Sequence, residues 1–275
     1  MSGGLWPALY AQRGLVNSSD GAFIIAPMLA KLMGLFLLGL IRLLTGAQAR
    51  WYGCPPKAEQ RIYFANHQSH ADIVMIWAAL PQELRSITRP IAAKDYWTKT
   101  PFRQWITTSV FNAIYVDRQS GKTSGVSGMA PADAVTASPS STAELPTAPV
   151  AESALALSPQ AMIDKLPADD PLSPLVRALQ NGDSIVIFPE GTRGSADDPQ
   201  PFKSGLFKMS QMFPQVVLVP AWINNVQRVM PKGEVVPVPI LCSVTFGAPI
   251  QIEQGEERRP FLDRARLAVM ALRDV

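Results

Sequence analysis

Only two cysteines, Cys54 and Cys242, occur in the 275 residues, far apart and without metal-ligand spacing. They leave no disulfide framework and no thiolate zinc site, so a reduced, cytosolic setting is the default. Charge is sparse as well, with 17% charged residues and a net charge of +3. No dense Lys/Arg tract occurs, which removes the electrostatic footprint of a nucleic-acid binder. A serine nucleophile elbow of the Gly-x-Ser-x-Gly kind is missing. Gly121-Lys122-Thr123 suggests a phosphate-binding P-loop, but Val116 stands where its first glycine belongs. Histidine is as scarce as cysteine, and both copies fall in one stretch, "FANHQSHAD", from Phe64 to Asp72.

What is abundant is apolar: 47% of the residues are hydrophobic and the mean hydropathy is positive. The length suits one large domain, with or without appendages. Ala22 to Leu44, "AFIIAPMLAKLMGLFLLGLIRLL", spans about 34 Å as a helix, enough to cross a bilayer core. Lys31 near its middle costs about 3 kcal/mol on insertion scales, which the many Leu, Ile and Phe residues offset. Lys31 and Arg42, eleven residues apart, share a face, so a helix lying in the membrane interface rivals a span. Ala47-Gln48-Ala49 mimics a signal-peptide cleavage site, although the long leader and the charges within the apolar run argue against cleavage. Residues 1–50 read as a membrane-associated helical segment.

From residue 51 onward, strands alternate with helices. Short apolar strands are expected at 61–66, 86–94, 113–118, 184–188, 216–223 and 241–247. Helices are expected at 70–80, around 95–111 with an interruption or start near Pro101, and near 173–181, 203–213 and 260–273. That alternation predicts an α/β domain over 51–275, a single mostly parallel or mixed sheet flanked by helices. Between Arg118 and Ser173 the composition turns to Ser, Ala, Pro, Thr and Gly. The stretch 119–172 reads as a disordered insertion with a short helix near 160–165, too poor in apolar surface to offset ordering entropy.

Two segments carry chemistry. In the first, Ser69 and Asp72 fit a helix capping box, and the histidines fit ordinary loop residues. The same segment also places a carboxylate beside an imidazole, the side chain whose ordinary pKa lies nearest neutrality. In the second, "FPEGTRG" from Phe188 to Gly194 ends a buried-looking strand, where α/β sheets place ligands. Gly191 lets a ligand approach the backbone, and the guanidinium fork of Arg193 matches a phosphate. An exposed Glu–Arg turn fits that segment equally.

Taken together, the two segments resemble signature blocks of the glycerolipid acyltransferases, specifically the 1-acyl-sn-glycerol-3-phosphate (lysophosphatidate) acyltransferase family. Asn66, His67 and Asp72 match the block N-H-x-x-x-x-D, and Phe188 to Arg193 match F-P-E-G-T-R without change. Lys94, Pro101 and Arg118 fit the block between them, where the family usually carries glycines in place of Gln104 or Trp105 and of Asn112. "FKSGLFKMS" (202–210), Pro220 and "FGAPI" (246–250) fit the family's more C-terminal segments, so the likeness covers about 61–250 without the insertion.

The resemblance implies direct transfer of a fatty acyl group from acyl-CoA or acyl-carrier protein to the free hydroxyl of 1-acyl-sn-glycerol 3-phosphate. Phosphatidic acid would be the product, and no acyl-enzyme would form. His67 is the expected base. Asp72 can hold its imidazole only if His67 sits in the loop entering the helix and Asp72 in its first turn. His70 carries no expected role.

Glu190, Gly191, Thr192 and Arg193 are assigned to the acceptor, with Arg193 on its phosphate and Arg118 and Lys94 as auxiliary cations. Lys203 and Lys208 stay open between solvated helix positions and added positive potential. The aromatics of 96–111 could line an acyl tunnel or simply pack a core. No metal or cofactor is expected, and the partners are the lipid acceptor, the acyl donor and a membrane. The catalytic domain should face the cytoplasm, on the inner membrane if bacterial. Other acceptors (glycerol 3-phosphate or a lysophospholipid) and a catalytically idle lipid-binding scaffold are the alternatives.

Overall fold

Seven strands in one mixed sheet organise the computed structural model, which describes residues 22–46, 48–69, 71–117, 158–194, 198–225 and 240–275. Helix α1 (Ala22–Thr45) leads into β1 (Gln48–Trp51) and β2 (Arg61–Ala65). Then come α2 (Asp72–Ala79), α3 (Gln82–Ile87), β3 (Thr88–Ala93), α4 (Lys94–Trp97) and α5 (Pro101–Trp105). A π-helical turn (Ile106–Val110) precedes β4 (Ile114–Val116), followed by α6 (Pro159–Asp164), α7 (Ser173–Gln180) and β5 (Ser184–Ile187). The chain closes with α8 (Gly205–Met212), β6 (Val217–Asn224), β7 (Ser243–Phe246) and α9 (Arg258–Met270).

The strand order is β1-β7-β6-β2-β5-β3-β4. Five strands from β6 to β4 run parallel, while β7 lies antiparallel to β6 and carries β1 parallel to itself. A central parallel strand is covered on both faces and so reads as continuous apolar sequence. In β2, "RIYFA", every residue is buried. Ile62 and Phe64 enter one core with Leu175, Leu206, Met209 and Phe261, beneath α7, α8 and α9. Tyr63 and Ala65 enter the other, with Ile76, Trp77 and Phe111, beneath α2 and the π-helical turn.

Helix α1 packs its Leu37, Leu38 and Ile41 against that second core. Its Gly34 lies where a Cβ would stand 3.4 Å from Val110 and 3.9 Å from Trp77. The other flank of the helix leaves Met28, Leu32, Leu35, Phe36 and Leu43 exposed. Pro27–Thr45, 19 residues with a mean hydropathy of 1.9, is long and apolar enough to cross a membrane.

Several expectations shift. The helical stretch over 95–111 is interrupted where Pro101 marks it: Thr98–Thr100 separate two helices, and α5 restarts with Pro101 in its first turn, capped by Thr100 accepting from the Arg103 N–H at 3.3 Å. Asn112 takes φ +50°, a left-handed conformation that asparagine tolerates and glycine favours. That backbone accounts for an asparagine at a position where the resemblance expects glycine. The stretch read as insertion is structured at its end. Ser158 caps α6, and Met162, Ile163, Leu166 and Leu172 pack on the α7–α8–α9 core. Those four side chains give 158–172 an apolar face that its Ser/Pro-rich surroundings conceal. The expectations for 119–157, Arg118, His70 and residues 1–21 lie outside the described residues.

Candidate active site

Strands β2 and β5 are neighbours in the sheet, pairing Ile62 with Ile185 and Phe64 with Ile187. Their carboxyl ends therefore bring two loops together from parts of the sequence more than a hundred residues apart: Asn66–Ser69 and Phe188–Gly194. Asn66 anchors the first loop. Its side chain accepts from Ile223 N at 2.8 Å and donates to Ile223 O at 3.0 Å, continuing the β2–β6 ladder one step past the strand.

His67 sits in the loop and Asp72 opens α2, the arrangement under which the two can meet. Nδ1 of His67 lies 3.0 Å from Oδ2 of Asp72. The same oxygen accepts the N–H groups of Gln68 at 2.7 Å and Ser69 at 2.8 Å. Half of a capping box is thus present: the carboxylate reaches back to Ser69, while Ser69 Oγ accepts from Ala71 at 3.2 Å. Capping and orientation of the imidazole share one carboxylate, which is 1% exposed. With Nδ1 held by Asp72, Nε2 is the ring nitrogen available to a ligand. The ring of Phe188 stacks on the imidazole at 4.3 Å between centroids.

Glu190 departs from its expected place at the acceptor. Its carboxylate is buried, the residue being 2% exposed, and both oxygens are occupied. Oε1 accepts the His67 N–H at 2.7 Å and Oε2 accepts the Gln200 N–H at 2.8 Å. Glu190 is a clamp between the two loops, reinforced by Gly194 N–H donating to His67 O at 2.8 Å. Burial pushes its pKa above the usual carboxylate range, against the two N–H donors, which lower it.

In the window between the ordinary carboxyl pKa and that raised value, the folded protein keeps a proton the unfolded chain has lost. This residue therefore favours folding at low pH, and that contribution disappears as the pH rises through the folded value. Glu190→Gln exchanges one acceptor for an NH₂ donor facing an N–H. The expected result is a loss of about 1–3 kcal/mol at neutral pH, with this pH dependence abolished. Urea unfolding at pH 5 and pH 7.5 checks both.

A cleft of about 920 Å³ opens at the carboxyl ends of these strands, with His67, Phe188 and Gly191 on one wall. Ile187, Leu175, Leu206 and Met209 line it from the α7–α8 side, joined by Leu172 from the segment before α7. Of the aromatics at 96–111, only Trp97 is among the lining residues. The apolar lining of the cleft comes mainly from β3, β4, β5, α7 and α8.

Thr192 and Arg193 stand exposed at the rim of the second loop and are not among the lining residues. Lys94 lies at the opposite rim, paired with Asp117 at 3.5 Å, both well exposed. Lys203 does line the cleft. Its signal in the sequence was the "FKSG" after F-P-E-G-T-R, which does not by itself distinguish a solvated lysine from one turned to the site. Both cysteines are buried; burial raises the Cys54 thiol and pushes Cys242 up to about 11, so neither serves as a nucleophile. Among the described residues no group of three or more His, Cys, Asp or Glu side chains is placed to hold a metal.

Comparisons with known proteins bear on the family and the fold. The family model described as Acyltransferase matches residues 54–224, from just before β2 to the end of β6. Among solved structures, the crystal structure of the 1-acyl-sn-glycerophosphate (LPA) acyltransferase PlsC from Thermotoga maritima shares the fold, with a TM-score of 0.52. The two chains are 16% identical, over 97% of this chain and 86% of that one. No curated protein sequence matches the chain.

Proposed function

The chain belongs to the acyltransferase family, and from that premise we propose that it acylates the free hydroxyl of 1-acyl-sn-glycerol 3-phosphate to give phosphatidic acid. The observation that carries the proposal is His67 on the cleft wall, its Nδ1 held 3.0 Å from the buried Asp72. Nε2 takes the proton of the acceptor hydroxyl as its oxygen attacks the thioester carbonyl. Asp72 keeps Nδ1 protonated and stabilises the imidazolium that forms. When the tetrahedral intermediate collapses, the C–S bond breaks and the imidazolium returns its proton to the leaving thiolate. Oxygen, acyl group and proton balance without an enzyme-bound ester.

The apolar cleft suits acyl chains, and the donor is acyl-CoA or acyl-carrier protein, with no cofactor. The exposed apolar flank of α1 favours attachment to a membrane, where such an acceptor and its product reside. The catalytic domain then faces the cytoplasm, at the inner membrane in a bacterium. Resemblance to the lysophosphatidate enzymes supports that acceptor over glycerol 3-phosphate.

The test supplies membranes containing the protein with labelled oleoyl-CoA, or oleoyl-acyl-carrier protein, and either lysophosphatidate or glycerol 3-phosphate. Labelled phosphatidic acid made from lysophosphatidate is the expected result. Label entering only with glycerol 3-phosphate corrects the acceptor, and no product from any pairing favours an idle scaffold.

A further inference from the structure

We propose that Lys203 is the cation that holds the acceptor's phosphate beside His67, a specificity-determining role that rests on the lysophosphatidate reading above. In such an acceptor the phosphate is one glycerol carbon away from the carbon bearing the attacking hydroxyl. The charge that recognises it must therefore share a wall with the base. His67 donates its N–H to Glu190, and the next residue, Gly191, lines the same cleft. Gly191 has φ +69°, and a Cβ built there would fall 2.6 Å from Lys203 Nζ and 2.9 Å from its Cδ and Cε. The lysine side chain thus lies across the turn, in space that only glycine leaves free. Its own backbone is fixed, because the Lys203 N–H donates to Pro189 O at 2.8 Å.

Charge on the other lining residues sorts an anion toward the same place. Asp95, Asp117 and Asp170 line the cleft and disfavour a phosphate near them, and Lys94 is already engaged with Asp117. Arg193, the residue that the resemblance puts on the phosphate, is exposed beyond the lining. Lys208 also lines the cleft, from α8, and adds positive potential without a comparable contact to the turn.

The test measures KM for lysophosphatidate and for oleoyl-CoA with the full chain, wild type against Lys203→Met and Lys203→Arg. Methionine keeps an apolar stem over Gly191 and removes only the charge. It is expected to raise the lysophosphatidate KM about 10- to 100-fold, the worth of one hydrogen bond to a charged group. The oleoyl-CoA KM should change little, and arginine should restore most of the loss. An acceptor KM unchanged in Lys203→Met overturns the assignment, as does a rise shared equally by the donor, or arginine performing no better than methionine. If Lys203→Met does not fold, as judged by its melting curve, Lys203→Gln takes its place with the same outcomes. A wild-type protein inactive on lysophosphatidate with either donor overturns the underlying reading, and this proposal with it. Activity with an unchanged Lys203→Met overturns this proposal alone.

Discussion

Replacing His67 by alanine is expected to lower the rate of acyl transfer by about 10²- to 10⁴-fold, the usual contribution of a positioned general base. Little else should change. The backbone N–H and C=O of residue 67 carry the contacts to Glu190 and Gly194, and neither depends on the imidazole. The variant should therefore melt close to wild type and still bind acceptor, since the lost interaction is one made in the transition state. Lowered kcat with an unaltered melting curve, measured on purified protein, is the expected pattern. Full activity in the variant would mean that another group takes the hydroxyl proton, and the mechanism proposed for this cleft would fail.

Asp72→Asn is expected to produce a second large loss, on the order of 10³- to 10⁴-fold in kcat. One oxygen of Asp72 accepts from His67 Nδ1, Gln68 N and Ser69 N together. An asparagine oxygen can keep the two backbone donors, but it carries no charge to stabilise an imidazolium. If the amide turns the other way, its NH₂ faces Nδ1 and favours the tautomer with a proton on Nε2, which cannot act as a base. Asp72→Ala removes the acceptor altogether and should be the less stable of the two variants, because Gln68 and Ser69 then lose their partner. Comparing melting temperatures and rates for both variants separates charge from scaffolding. An Asp72→Asn enzyme within a few-fold of wild type would show that orientation, not charge, is all the carboxylate supplies.

The sequence made some of this legible and hid the rest for physical reasons. The inner strands stood out because burial on both faces leaves an uninterrupted apolar run, as in "SIVI" of β5. β1 did not, since "QARW" is a four-residue strand at the sheet's margin with alternating exposure. α3 went unseen as well, six polar-rich residues between Pro81 and β3. His67 and Asp72 could be paired in advance because their contact is local, five residues across one helix start. Glu190 could not be placed, because its partners, His67 and Gln200, depend on β2 and β5 lying side by side. The same limit applied to Lys203 and to Leu172: which side chains face a cleft is decided by packing between distant elements.

The position of β4 has a bearing on how such a chain can vary in length. β4 is the outermost strand on its side, three places from β2, about 14 Å at ordinary strand spacing. A connection that leaves the sheet from its margin can gain or lose sequence without parting a pair of strands. Closing a longer loop costs only about 0.6 kcal/mol for each doubling of its length. The loops after β2 and β5 have no such latitude. One residue added between Ala65 and His67, or between Ile187 and Glu190, would shift the base against its clamp. Growth at the rim with fixed lengths at the centre is the pattern of drift this sheet permits, and in the sequence the Ser/Pro-rich stretch directly follows β4.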